Sequence, residues 1–278
     1  MKTLFSLAKW LMVLSVLLFF AGLCSASGLD RFKNESGVLR ISGGTAHIPV
    51  MKEAAKRIIA YNPDIQIAIA GGGSGAGIKQ VGEGLVNIGN SGRKATDSEI
   101  SKYGLSLYKW AIDGVAAVVH PDNPVKGLSS KELQDIYAGR IANWKVIGGD
   151  DRPINIYTRD KSSGTRAVFW KKALKKGDIS GRAQFVASNG AMKSAVANDP
   201  YAIGYMSVGY LDGSVAPVAL NNTIPSLQTV QTGEYSVARG LYSNTKGDYS
   251  GLAKKFIQYL LSPEGQKIAA EKGFIPVN

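Results

Sequence analysis

The sequence has few of the side chains on which hydrolases and metalloenzymes commonly depend. Its 278 residues include one cysteine, Cys24, and two histidines, His47 and His120. A Ser-His-acid triad therefore has little to draw on, and a metal site built from histidine and cysteine is not expected. A Walker A pattern ending in Gly-Lys-Ser or Gly-Lys-Thr is also missing. We expect no catalytic residue, no metal and no other cofactor.

Charged residues are also scarce, at 19% against 45% apolar residues, which is typical of a globular protein. The 33 basic residues exceed the 21 acidic ones, and without Lys2 and Lys9 the net charge is about +10. The basic residues are scattered and form no block of the kind found in nucleic-acid tails. The excess of positive charge therefore argues against a nucleic acid as the partner and leaves a small anion or an anionic membrane surface.

The only strongly hydrophobic run lies near the start, from Trp10 to Phe20, and is too short for a comfortable membrane span. It follows basic residues and leads into Cys24-Ser25-Ala26. We interpret residues 1–26 as a secretory signal peptide cleaved after Ala26, so that the mature chain has no thiol. An uncleaved membrane anchor is the alternative. Lipidation at Cys24 stays open, although Leu23 stands where a small residue is preferred.

Three segments repeat one pattern, in which a strand runs into a loop rich in glycine and hydroxyl groups and a helix follows. The loops lie at 42–46, 71–77 and 162–165. A fourth loop, Asn90-Ser91-Gly92-Arg93, follows a short strand at 86–89. Parallel strands joined by helices bring their carboxyl ends to one edge of a sheet, where open α/β sheets bind ligands. We expect the loops to meet at such an edge.

Apolar spacing predicts the remaining elements. Helices are expected through Val50, Ala54 and Ile58; through Ile78, Val81 and Leu85; through Ala167, Trp170 and Leu174; and at 129–136, 188–196, 252–261 and beyond Pro263. Further strands are expected at 110–120, 202–207 and 215–220. Repeated strand and helix units in both halves predict an α/β fold of two lobes with a cleft between them. We place lobe I at 37–114 plus 237–278 and lobe II at 115–236.

The third loop has the chemistry of an anion site. Ser162, Ser163 and Thr165 stand at a predicted helix start, where backbone N–H groups lack partners, with Arg159 and Arg166 alongside. A hydrogen bond to a charged group contributes about 1.5–3 kcal/mol. Several such bonds reach the roughly 8 kcal/mol of micromolar binding without any catalytic base.

Two enzyme patterns fail near the second loop. Gly71, Gly73 and Ala76 follow a strand as in a dinucleotide-binding fingerprint, but 89–92 has no acidic residue to bind a ribose. The pattern around Ser74 departs from the G-x-S-x-G nucleophile elbow at Ala76. Neither match therefore favours an enzyme.

These loops resemble those of the periplasmic phosphate-binding proteins of Pst-type ABC importers. The resemblance runs from about Leu39 to the C-terminus. It is carried by Ser42–Thr45, Gly71–Gln80, Asn90–Arg93, Ile141–Lys145, Arg159–Arg166 and Ala202–Tyr205. The Ser-Gly-Thr motif at 163–165, with an arginine four residues before it, is specific when combined with the loop at 71–77.

The resemblance implies a periplasmic-binding-protein fold of type II and a monomer that captures inorganic phosphate between its lobes and docks on an ABC permease. It implies a phosphate site made of Thr45, Ala46, Ser74, Gly75, Ser91, Arg93, Arg159, Ser163, Gly164 and Thr165. Two positions depart from the family pattern, since Gly92 and Lys161 stand where aspartate occurs in some members. The protonation state of bound phosphate and the rejection of sulfate, molybdate or arsenate therefore stay open. Affinity, signalling to a sensor protein and a secreted phosphatase activity are further open questions.

Overall fold

The computed structural model describes residues 27–277, so the predicted signal peptide, with Cys24, lies outside the described residues. The strands are β1 (Gly37–Gly43), β2 (Ile65–Gly72), β3 (Ile88–Ser91), β4 (Leu105–Val119), β5 (Gly127–Leu128), β6 (Asn155–Thr158), β7 (Gln184–Phe185), β8 (Ala202–Ser207), β9 (Ala216–Pro217), β10 (Ala219–Leu220), β11 (Ala238–Lys246) and β12 (Ile275–Pro276). The α-helices are α1 (Ile48–Tyr61), α2 (Gly73–Gly82), α3 (Asp97–Tyr103), α4 (Ser130–Tyr137), α5 (Gly164–Lys172), α6 (Asn189–Ala197), α7 (Leu227–Gln231), α8 (Gly251–Leu261) and α9 (Pro263–Glu271).

Parallel pairing brings the loops together as the sequence predicts. Strand β1 pairs in parallel with both β2 and β3, and β6 pairs in parallel with β8. The carboxyl ends of β1, β2 and β3 therefore meet at one edge. The end of β6 delivers the loop at 159–163 opposite them.

Two long antiparallel strands join the two halves of the sheet, whose order is β2-β1-β3-β11-β4-β8-β6-β7. The fifteen-residue β4 pairs with β11 along 105–114 and with β8 along 115–119. It is buried at almost every position of its second half, where Asp113 is the one charged residue in an otherwise apolar sequence. Strand β4 thus runs through both lobes.

The buried side chains form separate cores in the two halves. One core joins residues from Phe32 to Ala111 with residues from Leu241 to Phe274, and packs α1, α8 and α9 on the sheet. Two clusters in the other half draw on residues from Val115 to Val237, with Ile275 from the C-terminus. The two-lobed α/β fold predicted from the sequence is confirmed. Within 27–277 no helix is long and apolar enough to span a membrane.

Several predicted bounds were wrong. The short strand before the fourth loop is Ile88–Ser91 and not 86–89, because Asn90 and Ser91 pair with β11. Helix α5 ends at Lys172, so that Leu174 lies beyond it. Helix α2 begins at Gly73, inside the predicted glycine turn, and ends at Gly82, so that Leu85 lies beyond it and is 63% exposed. The predicted strand at 215–220 is two short strands, because β9 pairs with β4 and β10 pairs with β5. Strand β4 begins at Leu105, five residues before the predicted start.

Candidate functional site

A small cavity lies where the ends of β1, β2 and β6 meet, between the two lobes. It contains at most about 180 Å³ of empty space, below the roughly 300–1,000 Å³ of pockets for drug-sized ligands. Its lining residues are Gly44, Thr45, Ala46, Gly73, Ser74, Gly92, Arg159, Ser163, Gly164, Thr165 and Arg239. The side chains of both lobes contribute, and their polar atoms are donors or hydroxyls.

Arg159 is the buried cation of the lobe II wall, with only 1% of its surface exposed. Its Nη2 donates to the carbonyl oxygen of Ala187 at 2.9 Å, and its backbone N–H donates to the Tyr205 hydroxyl at 3.0 Å. Nε and Nη1 have no hydrogen-bond partner within residues 27–277. Burial lowers the pKa of Arg159, although an arginine stays charged in a protein. The guanidinium therefore has two donors available for an anion.

Two helix starts face each other across the cavity. Ser163 caps α5, because its hydroxyl accepts the N–H of Arg166 at 3.2 Å, and the N–H groups of Gly164 and Thr165 have no acceptor within the helix. Helix α2 begins opposite, at Gly73 and Ser74. A side chain on Gly164 would put its Cβ 2.1 Å from Ser74 Oγ, so only glycine permits this approach.

Three hydroxyls of the wall already accept hydrogen bonds from the protein. Ser74 Oγ accepts from the N–H of Gly92 at 2.9 Å, as Ser163 Oγ does from Arg166. Thr45 Oγ1 accepts from the backbone N–H and the Nδ2 of Asn189 at 3.3 and 3.1 Å. Each hydroxyl proton is therefore left to donate elsewhere. These oxygens act towards a ligand mainly as donors.

A second arginine reaches the cavity from lobe I. The Nε and Nη2 of Arg239 donate to Oδ2 of the buried Asp113 at 2.9 and 2.8 Å, and Ser207 donates to Oδ1 at 2.7 Å. Burial raises the pKa of Asp113, while the charge of Arg239 and the Ser207 hydroxyl act in the opposite direction. With three charge-assisted hydrogen bonds the carboxylate is ionised, and it holds the guanidinium in place.

Histidine and tyrosine side chains behind the wall stay uncharged near neutral pH. His47 is fully buried, with its ring edge-to-face on Trp110 at 5.5 Å, and burial lowers its pKa to about 3, with the charge of Arg239 acting in the same direction. Burial raises the pKa of both Tyr205 and Tyr210 to about 12. The charge of the wall therefore comes from its two arginines.

Direct hydrogen bonds join the two lobes at the rim of the cavity. The carbonyl oxygen of Ser162 accepts the N–H of Gly75 at 3.0 Å, and its hydroxyl lies 3.3 Å from the carbonyl oxygen of Gly72. On the other side, the Tyr210 hydroxyl donates to the carbonyl oxygen of Thr45 at 2.7 Å. Together with the Thr45 and Asn189 pair, these contacts hold the cleft closed.

Seven of the ten predicted site residues line the cavity, and three do not. Gly75 lies at the rim, and Ser91 is buried behind the wall, where it donates to the carbonyl oxygen of Arg93. Arg93 turns away to pair with Glu99, with both nitrogens at 2.7 Å, and this pairing lowers the pKa of Glu99 to about 2. Lys161 is exposed and does not line the cavity.

Four residues of the lining were not predicted from the sequence: Gly44, Gly73, Gly92 and Arg239. The three glycines lie inside the predicted loops, and Gly92 was named only as a position where aspartate occurs in some family members. Arg239 lies on β11, for which the apolar spacing had predicted no strand. Ala238–Lys246 has no apolar alternation in its sequence, and the alternation of half-buried and buried positions along 238–243 is seen only in the structure.

Known proteins match most of the chain. A family model described as a PBP superfamily domain matches residues 32–264. The phosphate-binding protein PstS of Bacillus subtilis is 42% identical over 265 residues, which cover 92% of this chain and 87% of that protein. The chain belongs to the PstS family of phosphate-binding proteins.

Solved structures place the chain in the same PstS family. A Clostridium perfringens substrate-binding protein of the phosphate ABC-transporter type, solved with bound phosphate, is 36% identical with a TM-score of 0.82 and covers 87% of this chain and 100% of its own. An ABC-type phosphate transport receptor from Vibrio cholerae is 32% identical with a TM-score of 0.69, covering 86% and 100%. The family resemblance stated from the sequence is confirmed.

Proposed function

We propose that the protein is an extracytoplasmic solute-binding protein that captures inorganic phosphate between its lobes and delivers it to an ABC importer. The observation that carries this function is the buried Arg159, whose Nε and Nη1 lack partners within 27–277 and which lines a cavity between two helix starts. An anion with several oxygens gives these donors acceptors and offsets the buried charge. The names of the PstS relatives support phosphate as that anion.

The proposed site keeps seven predicted residues and adds four. Arg159 binds by charge-assisted hydrogen bonds; Gly164 and Thr165 donate from their backbone; and Thr45, Ser74 and Ser163 donate from their hydroxyls. The full set is Gly44, Thr45, Ala46, Gly73, Ser74, Gly92, Arg159, Ser163, Gly164, Thr165 and Arg239. The set contains hydrogen-bond donors and no general base, which supports binding without catalysis.

The proposal includes the export of the protein, its oligomeric state, its docking on the permease and the bounds of its lobes. The protein is exported with cleavage after Ala26, acts in the periplasm as a monomer, and docks in its closed form on the permease subunits. Its lobes are 37–114 plus 237–278 and 115–236, in keeping with cores that change over near Val115 and Val237. Opening and closing by a hinge admit and enclose the anion.

Titrating the mature chain with phosphate by calorimetry tests the function. We expect saturable binding of one phosphate per chain at micromolar concentration or below, because several charged hydrogen bonds together reach about 8 kcal/mol. The absence of any heat at these concentrations would refute a phosphate-capturing role. Turnover of a chromogenic phosphate ester would instead favour a secreted phosphatase.

Another tetrahedral oxyanion, such as sulfate or molybdate, is the second candidate ligand. It is favoured by the wall itself, because no Asp or Glu side chain is among the lining residues that the structure describes. A carboxylate would repel an anion that has no proton to donate to it. Competition between sulfate and phosphate for the same chain distinguishes the two candidates.

A further inference from the structure

The donors of the cavity are fixed by bonds already formed behind the wall. Thr45 Oγ1 accepts hydrogen bonds from Asn189, and Ser74 Oγ accepts one from the N–H of Gly92. The protons of these hydroxyls therefore remain available to donate to a ligand. Since the described lining has no carboxylate, each O–H that a ligand carries finds no strong acceptor here, so that dihydrogenphosphate, with two, is disfavoured more than hydrogenphosphate, with one.

Arg239 occupies the part of the wall where an acceptor side chain would otherwise fit. Asp113 binds its Nε and Nη2, which leaves Nη1 next to Gly92, 3.4 Å from the carbonyl oxygen. A Cβ added to Gly92 would lie 2.6 Å from Nη1. A side chain at position 92 and the observed position of Arg239 therefore exclude each other.

We propose that Arg239, positioned by Asp113, is a specificity-determining residue that makes the site select oxyanion dianions over their protonated forms. The inference rests on the proposed function and adds to it the protonation state of the ligand. A second cation favours the doubly charged anion by attraction. A protonated oxygen placed against a guanidinium donor loses a hydrogen bond and leaves that donor unpaired in a buried site.

The titratable groups around the cavity keep their charge state near neutral pH, so that the ligand is the species that titrates there. From lobe I these are Arg239, Asp113 and His47; from lobe II they are Arg159 and the tyrosines, Tyr205 and Tyr210. Asp160 and Arg166 lie farther along the loop and first turn that hold Arg159. His47 and both tyrosines remain neutral, and the arginines remain charged.

The pH dependence of binding by the mature chain tests the proposal, with phosphate and sulfate as the two probes. Phosphate loses its second proton near neutral pH, whereas sulfate is a dianion throughout. If only the dianion binds, phosphate affinity rises by about tenfold per pH unit below that pKa, because the competent fraction of ligand rises by this factor. Sulfate affinity is expected to stay constant.

Each other result has a definite meaning. Phosphate binding that is independent of pH would overturn the selection of dianions and leave the proposed function intact. Equal pH dependence for phosphate and sulfate would show that a protein group titrates, which also overturns the inference. If neither anion binds, both the inference and the proposed function fail.

The role of Arg239 is tested by the double substitution Asp113→Asn with Arg239→Gln, which removes the cation without leaving Asp113 as an unpaired buried charge. We expect the affinity for both dianions to fall by about tenfold or more, as for the loss of one charged hydrogen bond. Arg140→Gln is the matched control, since Arg140 is 57% exposed and pairs with Asp135 away from the cavity.

A milder variant covers the case in which the double variant does not fold. Arg239→Lys keeps a cation but cannot hold Asp113 with two nitrogens, so we expect a several-fold loss of affinity for both anions with a normal melting temperature. Wild-type affinity and pH dependence in a folded variant of either kind would exclude Arg239 as the determinant.

Discussion

Replacing Arg159 by glutamine removes two charged donors from the cavity and leaves a shorter, neutral side chain. Nε and Nη1 are the atoms without partners in residues 27–277, and a charged hydrogen bond contributes about 1.5–3 kcal/mol. The loss of two therefore weakens phosphate binding by about 3–6 kcal/mol, or roughly a hundredfold to ten-thousandfold. Calorimetry measures this loss directly.

The same substitution is expected to leave the ligand-free protein at least as stable as the wild type. Arg159 is buried, and its guanidinium donates to the carbonyl oxygen of Ala187 but pairs with no carboxylate within 27–277. A buried charge of this kind is costly, and a neutral glutamine removes the cost. Binding and folding therefore place opposite demands on this position.

Thermal unfolding with and without phosphate separates the two effects. At a concentration of about 100 times the Kd, phosphate stabilises the wild type by about 2.7 kcal/mol. For a chain of this size that is an increase in Tm of about 5 °C or more. The variant is expected to show no increase at this concentration. An increase in the variant as large as that of the wild type, or a ligand-free Tm of the variant well below that of the wild type, would refute the reasoning.

Two further predictions concern the wall and its support. Gly164→Ala puts a Cβ 2.1 Å from Ser74 Oγ, so we expect phosphate affinity to fall by at least about tenfold, while Gly181→Ala, in open space, leaves calorimetric titrations unchanged. His47 is expected to make folding sensitive to acid, because its pKa is lowered to about 3 in the folded protein: the free energy of unfolding falls as the pH drops from about 6.5 towards 3, by about 4 kcal/mol at most. His47→Phe keeps the ring contact with Trp110 and should flatten this part of the pH profile in urea unfolding; an unchanged profile would contradict the assignment.

Local patterns were sufficient to predict the parts of the fold that depend on sequence neighbours. The loop at 162–165 was predicted as a helix start, and Ser163 indeed caps α5. Ser129 likewise caps α4 with a complete capping box. In each case the hydroxyl and the N–H that it accepts are three residues apart, so the signal lies within one turn.

Long-range pairing was the part that local patterns could not supply. Arg93 is the last residue of a predicted loop, but its guanidinium pairs with Glu99, and this pairing depends on the position of α3. Arg239 lies 126 residues from Asp113, and only the pairing of β11 with β4 places it beside Gly92. A role in ligand binding can thus be assigned to a basic residue near a predicted site only when the carboxylates that pair with it are known.

The hydrogen bonds between the lobes at the rim of the cavity also affect how long a ligand stays. Ser162 contacts the start of α2 and Tyr210 contacts Thr45, and neither contact requires an anion in the cavity. An enclosed ligand can leave only after these bonds break. Its residence time therefore depends on the rate at which the two lobes separate. Release is therefore governed in part by groups that never touch the ligand, and a substitution there can change the dissociation rate while the strength of each ligand contact stays the same.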